Sequence, residues 1–132
     1  MATFPLAAAR LLGLHAPHVL FTSGPDAETG ELWCPDCRRA VPAVVAAAAA
    51  AGVALLVVDV GTRAEWKALD SRPPHPLRSQ AGVELACIPT LLKWDVEGAC
   101  AVPGAPRLEQ ALEKAADADA VTTLCAAFFA RP

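Results

Sequence analysis

The apolar positions of this chain follow two patterns, one with helical spacing and one with the unbroken runs of buried strands. Near the N-terminus, apolar side chains recur at helical spacing and predict a first amphipathic helix from about Phe4 to Leu14. The run His18–Thr22 predicts a short buried strand. The longer run Val53–Val60 is rich in β-branched residues and predicts a central strand that is buried on both faces.

The longest helical pattern covers about Pro35 to Ala51. Proline suits the first helical position because its missing N–H would have no partner there, and Gly52 just past the end is a common helix stop. Two further helices are predicted over Thr62–Leu69 and Asp117–Ala130. The apolar stripe of the last helix consists of Val121, Leu124, Cys125 and Phe128.

Turn-forming residues separate these elements. Ser23–Glu31 and Ser71–Pro76 are predicted to be loops, and Thr90–Trp94 is predicted to be another strand. The stretch Arg107–Lys114 is ambiguous, because its propensity favours a helix whereas a sheet of this order needs a last antiparallel strand nearby.

The order of the elements predicts an α/β fold. Alternation of strand, helix and strand implies a parallel pair with a right-handed crossover, and a hairpin after Leu92 would add an antiparallel edge. We therefore expect a central mixed sheet of four to five strands with helices on both faces. A length of 132 residues suits a single domain over residues 1–132.

Charge and composition exclude several classes of partner. The net charge is −3 and no basic block occurs, which argues against nucleic acid and against an anionic membrane surface. Hydrophobic residues make up 55% of the chain, but many are alanines, and no apolar stretch approaches the roughly 18 residues of a spanning helix. No extra apolar stripe is evident, so we expect a monomer.

The cysteine count bears on the compartment. Five cysteines cannot all be paired within one chain, which favours a reducing compartment and a cytoplasmic protein. An alternative is an organelle, if residues 1–14 act as a transit segment, because Arg10 is the only charged residue there.

The motif Trp33-Cys34-Pro35-Asp36-Cys37 carries the strongest chemical signal. Two intervening residues at the start of a helix place both sulfur atoms on the first turn, within disulfide reach. Free backbone N–H groups and the helix dipole favour an anion at Cys34, so its thiolate is the predicted nucleophile. Cys37, one turn further in, would resolve the mixed disulfide. Asp36 adds an opposing negative charge.

Three other interpretations of the cysteines remain open. A zinc site usually needs a second pair of ligands, and none is evident, so no metal is expected. A static structural disulfide fits poorly with a reducing compartment. Cys87 lies two residues before Pro89, and that placement makes it a candidate for a redox role.

At this motif the chain resembles the thioredoxin domain-containing protein 17 family, small cytosolic thioredoxin-related proteins with a Trp-Cys-Pro-Asp-Cys centre. Pro42 lies where thioredoxins kink the active-site helix, and Trp66-Lys67 follows the central strand. The segment Ile88-Pro89-Thr90-Leu91-Leu92-Lys93 is similar to the family's Val-Pro-Thr-Leu-Leu-Lys. The resemblance covers most of the chain and implies a thioredoxin fold.

The resemblance also implies a function and its partners. Pro89 would be cis and lie against the cysteines, Ile88 would offer a docking edge for substrate, and Thr90 would line the site. No cofactor would be bound; electrons would come from NADPH through thioredoxin reductase. Substrates would be protein disulfides or small disulfides such as cystine. Trp33 and Pro35 would support the cysteines, without a catalytic role of their own.

The chain also departs from the family. Only some seventeen residues precede His18, which leaves little room for the family's first strand, and a sheet without it would have four strands instead of five. The acid that thioredoxins bury in the strand before the motif is absent, which leaves Asp36 or a water molecule as the proton acceptor for Cys37. By analogy, Arg107–Leu112 would form the last strand.

Three functions follow from these observations. The first is a thiol–disulfide oxidoreductase that uses the Cys34/Cys37 dithiol. The second is a non-catalytic thioredoxin-fold binding module that uses the surface around Trp33, Ile88 and Pro89. The third is a zinc-bound structural domain. The intact pair of cysteines favours the first, because a scaffold would not need both thiols.

Overall fold

A computed structural model describes residues 3–5, 17–95 and 100–130 of the chain. It contains one five-stranded sheet with the strand order β1-β3-β2-β4-β5. The strands are β1 (Thr3–Pro5), β2 (His18–Thr22), β3 (Leu55–Asp59), β4 (Thr90–Asp95) and β5 (Cys100–Ala101).

The strand pairings explain where a site can form. β3 pairs in parallel with β1 and β2, whereas β4 is antiparallel to both β2 and β5, so the sheet is mixed as predicted. Thr22 lies opposite Asp59, and Phe21 lies opposite Thr90. One end of the sheet therefore brings together the residues that follow β2 and β3 and those that precede β4.

The helices are α1 (Pro35–Ala51), α2 (Arg63–Trp66), α3 (Gln110–Lys114) and α4 (Ala118–Ala130), with a 3₁₀ turn at Pro76–Arg78. α1 begins and ends as predicted, and Gly52 closes it with a left-handed φ of 68°. α1 and α4 pack against each other. Small and branched side chains form the buried face of α1, among them Ala40, Val41, Ala43, Val44, Ala47 and Ala48.

α2 is shorter than the predicted helix over Thr62–Leu69. It begins with a capping box, in which Thr62 and Glu65 each accept from the other's backbone N–H. It ends at Trp66 because Ala68 adopts a left-handed φ of 53°. None of the helices in the described ranges is both long and apolar enough to cross a membrane.

The N-terminal prediction was wrong where the structure describes it. Thr3–Pro5 is a strand that pairs with Val57–Asp59, so the first strand is present and the sheet has five strands, within the predicted four to five. A three-residue strand is too short to show a period, and its partner lies more than fifty residues away, so local spacing gave the wrong element. The remainder of the predicted helix, through Leu14, lies outside the described residues.

The last strand also lies elsewhere than the family analogy placed it. Arg107–Leu112 is not a strand: Leu108 makes one isolated bridge with Leu91, and α3 begins two residues later. Helix propensity therefore indicated the correct state for this stretch. The antiparallel edge is instead β5, which is only two residues long.

Candidate active site

The motif Trp33–Cys37 lies at this end of the sheet, where α1 begins. Cys34 is the N-cap of α1, with φ −92° and ψ 119°, and Pro35 occupies the first helical turn. The backbone N–H of Cys34 donates to the hydroxyl of Ser23, which follows β2, at 3.3 Å. This bond ties the start of the helix to the end of the strand.

Cys34 and Cys37 are free thiols in hydrogen-bond contact with each other. Cys34 is 9% exposed and Cys37 is completely buried. The Cys37 thiol is the strongest influence on Cys34, and the backbone N–H groups of Cys37 and Asp36 add to it. Together they lower the pKa of Cys34 to about 6, while burial and the Asp36 carboxylate oppose the shift. Cys34 is therefore largely a thiolate at neutral pH.

Cys37 shifts in the opposite direction. Its S–H donates to the Cys34 sulfur, and this bond together with burial raises the pKa of Cys37. The backbone N–H of Ser23 lies 3.5 Å from the Cys37 sulfur. The buried hydroxyl of Thr22, which has no other partner among the described residues, also lies beside it. Asp36, a predicted acceptor for the Cys37 proton, instead pairs with Arg39 at 2.9 Å.

Trp33 is held by the segment that follows β3. Its indole Nε1–H donates to the carbonyl oxygen of Gly61 at 2.8 Å, and the backbone N–H of Gly24 donates to the same oxygen at 3.0 Å. Gly24 leaves no room for a side chain, because a Cβ there would lie 2.8 Å from that oxygen. The loop that leads into the motif is thus fixed against the end of the central strand.

The Ile88–Pro89 peptide bond is cis, as the resemblance implied. Ile88, Pro89 and Thr90 are all buried. Ile88 lines the same cleft as Cys34, whereas Pro89 and Thr90 are not among the residues that line it. The Thr90 hydroxyl donates to the carbonyl oxygen of Cys87 at 2.8 Å, so its role is to hold the chain before the cis bond.

A cleft of about 520 Å³ lies over the motif. It brings together predicted residues from both segments: Trp33, Cys34, Pro35, Asp36 and Ile88, with Cys87 beside them. Sequence analysis assigned none of the other lining residues to the site: Arg63, Trp66, Lys67, Arg78, Ala86 and Glu113. Trp66-Lys67 formed part of the resemblance, and that was the available signal for those two residues.

Cys87 lies in the cleft but differs chemically from Cys34. Burial and the carboxylates of Glu113 and Glu109 raise its pKa, although its contact with Thr90 at 4.0 Å opposes the shift. Cys87 is therefore a protonated thiol at neutral pH. Within residues 3–5, 17–95 and 100–130, no three His, Cys, Asp or Glu side chains come together in a group that could hold a metal ion.

The sequence of this chain is similar to those of known thioredoxin-like proteins. The chain is 35% identical over 79 residues to the thioredoxin-like protein Clot of Arabidopsis thaliana, across 58% of this chain and 56% of that protein. It is 36% identical over 89 residues to the thioredoxin-like protein Clot of Oryza sativa subsp. japonica, across 63% of this chain and 61% of that protein. The chain therefore spans less than two thirds of either relative. The sequence profile "thioredoxin domain-containing protein 17-like, thioredoxin domain" matches residues 13–120, and the chain belongs to this family.

Proposed function

We propose that the protein is a thiol–disulfide oxidoreductase in which Cys34 is the nucleophile and Cys37 the resolving thiol. The observation that carries this proposal is that the pKa values of the two thiols are shifted in opposite directions. The pKa of Cys34 is lowered to about 6, whereas the pKa of the buried Cys37 is raised. In such a pair, one thiolate reacts with the substrate, while the other thiol stays protonated until the mixed disulfide has formed.

The reaction proceeds in two exchanges. The Cys34 thiolate attacks one sulfur of a substrate disulfide, a mixed disulfide forms, and the other substrate sulfur leaves as a thiolate that takes up a proton. Cys34 then no longer carries a negative charge, so the main cause of the raised pKa of Cys37 is removed. Cys37 loses its proton and attacks the Cys34 sulfur, which releases the second substrate thiol. Two electrons pass from the protein to the substrate; one proton comes from Cys37, and solvent supplies the proton taken up by the first leaving thiolate.

The surroundings of the pair support the same steps. Trp33 and Ile88 flank the nucleophile in the cleft, and Ser23 offers an N–H to the Cys37 sulfur as negative charge develops there. We propose protein disulfides and small disulfides such as cystine as substrates. Regeneration of the dithiol by thioredoxin reductase with NADPH, and action in the cytoplasm, belong to the same proposal.

The test is a thiol titration of the purified protein across a glutathione redox series. We expect one reversible two-electron transition in the wild type and none in Cys34→Ser. Cys37→Ser should instead accumulate a stable mixed disulfide on Cys34. Cys100→Ser is the matched control, because its thiol lies on β5, outside the cleft, and it should keep the transition.

Failure of Cys34 and Cys37 to form a disulfide at any poise would contradict the proposal. Partner binding that survives Cys37→Ser without turnover would then favour a thioredoxin-fold binding module. Stoichiometric zinc in the purified protein would favour a structural metal domain.

A further inference from the structure

Three cations line one side of the cleft: Arg63 and Lys67 from α2 and its C-cap, and Arg78 from the 3₁₀ turn. All three are exposed. None of them forms an ion pair with any described residue, and the side chains of Arg63 and Lys67 make no hydrogen bond there either. We refer to Arg63, Lys67 and Arg78 as the cation wall.

Arg78 is the fixed member of the cation wall. Its guanidinium lies over the Trp66 ring, 3.7 Å from the centroid. Its Nε donates to the carbonyl oxygen of Trp66 at 3.3 Å, and its Nη1 donates to that of Ala86 at 3.4 Å. Because Ala86 lies two residues before Ile88, these bonds place a positive charge beside the predicted docking segment.

The unpaired acids of the cleft are fewer than its cations. Asp36 pairs with Arg39 at 2.9 Å, which leaves the Glu113 carboxylate beside Cys87 as the unpaired acid of the described cleft lining. Charges that are already paired contribute little to the field felt by an incoming molecule, whereas unpaired ones set its sign. The three cations therefore outnumber the Glu113 carboxylate and the Cys34 thiolate, so the cleft lining is net positive although the chain carries a net charge of −3.

We propose that the cation wall selects anionic disulfides, in which a carboxylate lies close to the sulfur–sulfur bond. This inference rests on the proposed function and names its substrate class. The carboxylate contacts Arg63, Lys67 and Arg78 while Cys34 attacks the nearer sulfur, and the exchange then proceeds as described above. A cleft of about 520 Å³ accommodates a small disulfide or the cysteine-bearing end of an acidic peptide.

The experiment uses the pre-reduced full chain in single-turnover reactions with three small disulfides. These are 3,3′-dithiodipropionate, which is anionic, bis(2-hydroxyethyl) disulfide, which is neutral, and cystamine, which is cationic. Each rate constant is divided by that of 2-mercaptoethanol with the same disulfide, which removes differences in intrinsic reactivity. We expect the order anionic, neutral, cationic, with an anionic-to-neutral ratio of about tenfold at low salt. The ratio should approach one in molar salt.

Charge-removing variants assign the preference to the wall. The double variant Arg63→Gln/Lys67→Gln should lower the normalised rate with dithiodipropionate about fivefold. The anionic-to-neutral ratio should fall with it, because the neutral disulfide has no carboxylate for the cation wall to hold. The matched control is Arg72→Gln/Lys114→Gln, which removes the same charge from exposed residues outside the cleft lining and should leave the preference intact.

The outcomes separate this inference from the proposed function. Equal normalised rates with all three disulfides, or an equal loss in both double variants, would overturn the inference while the oxidoreductase proposal stands. A reduced protein that reacts with none of the disulfides would overturn both.

Discussion

Trp33 and Gly61 are 28 residues apart in the sequence, yet the indole Nε1–H of Trp33 donates to the Gly61 carbonyl oxygen at 2.8 Å. This bond fixes the residue next to the nucleophile against the end of β3. The Trp33 side chain is thereby oriented by the segment after β3 and not by helix α1, which begins two residues later. The position of Cys34 therefore depends on a segment far from it in the sequence.

The first prediction concerns this bond. Trp33→Phe removes the Nε1–H that donates to Gly61, so the free energy of unfolding should fall by about 1 kcal/mol beyond the loss of packing. It should also slow the reaction of Cys34. Trp94→Phe is the matched change, because the buried Trp94 Nε1–H has no partner among the described residues, so no hydrogen bond is lost. Urea unfolding and alkylation rates measure both effects; equal penalties in the two variants would contradict the prediction.

The second prediction concerns the close approach of Gly24 to Gly61. Gly24→Ala places a methyl group 2.8 Å from a backbone oxygen and should destabilise the protein by about 1–3 kcal/mol. Because the displaced carbonyl also holds Trp33, the reactivity of Cys34 should fall as well. Gly30→Ala is the control: it meets nothing within 4 Å but needs a φ of 76°. It should therefore cost stability without changing reactivity.

The third prediction concerns the pH dependence of Cys34. Its alkylation by iodoacetamide should follow a pKa of about 6, far below that of an ordinary thiol. Cys37→Ala removes the main cause of the shift, the hydrogen bond from Cys37, so the midpoint should move upward. An unchanged midpoint in this variant would show that other groups stabilise the thiolate.

The same pKa values fix the direction of acid instability. The pKa of Cys34 is lowered by folding, so its contribution to stability is complete above the unfolded pKa and is lost as pH falls toward about 6. Burial lowers the pKa of His18 and of His75, which adds instability below about pH 6.5. The raised pKa of Cys37 weakens the fold only at alkaline pH. Thermal unfolding of the reduced protein between about pH 6 and 8 should show a steeper rise in stability than Cys34→Ser does.

The fifth prediction separates Asp36 from its partner. The Asp36 carboxylate opposes ionisation of Cys34, so Asp36→Asn should move the pKa of Cys34 still lower. Arg39→Gln removes the pairing cation at 2.9 Å and should move it in the opposite direction. Both shifts can be followed by thiolate absorbance at 240 nm. Shifts of the same sign in the two variants would contradict this account.

Sequence patterns predicted what local residues decide. The bounds of β2 and α1 were correct, because an apolar run and a proline–glycine pair carry that information within the segment itself. The three residues of β1 were missed because their identity depends on pairing with β3. The stretch after Arg107 was misassigned when analogy replaced propensity.

The candidate site divides in the same way. The two cysteines were evident from their spacing, and the placement of Ile88 in the same cleft as Cys34 followed from the resemblance. The cation wall was not foreseen, because Arg63 and Arg78 lie on separate elements of ordinary composition. Only the fold brings their charges to one surface.

Gly61 also immediately precedes Thr62, the cap of the short helix that carries Arg63. The carbonyl that orients Trp33 beside the nucleophile therefore belongs to the backbone that leads into the helix with Arg63 and Lys67. The backbone positions that carry the charges and the sulfur are thereby set before any substrate arrives, and they favour one distance from carboxylate to sulfur in the substrate. Among dicarboxylic disulfides that differ only in the number of methylene groups between carboxylate and sulfur, one homologue should therefore react fastest. Shorter and longer homologues of equal charge should react more slowly.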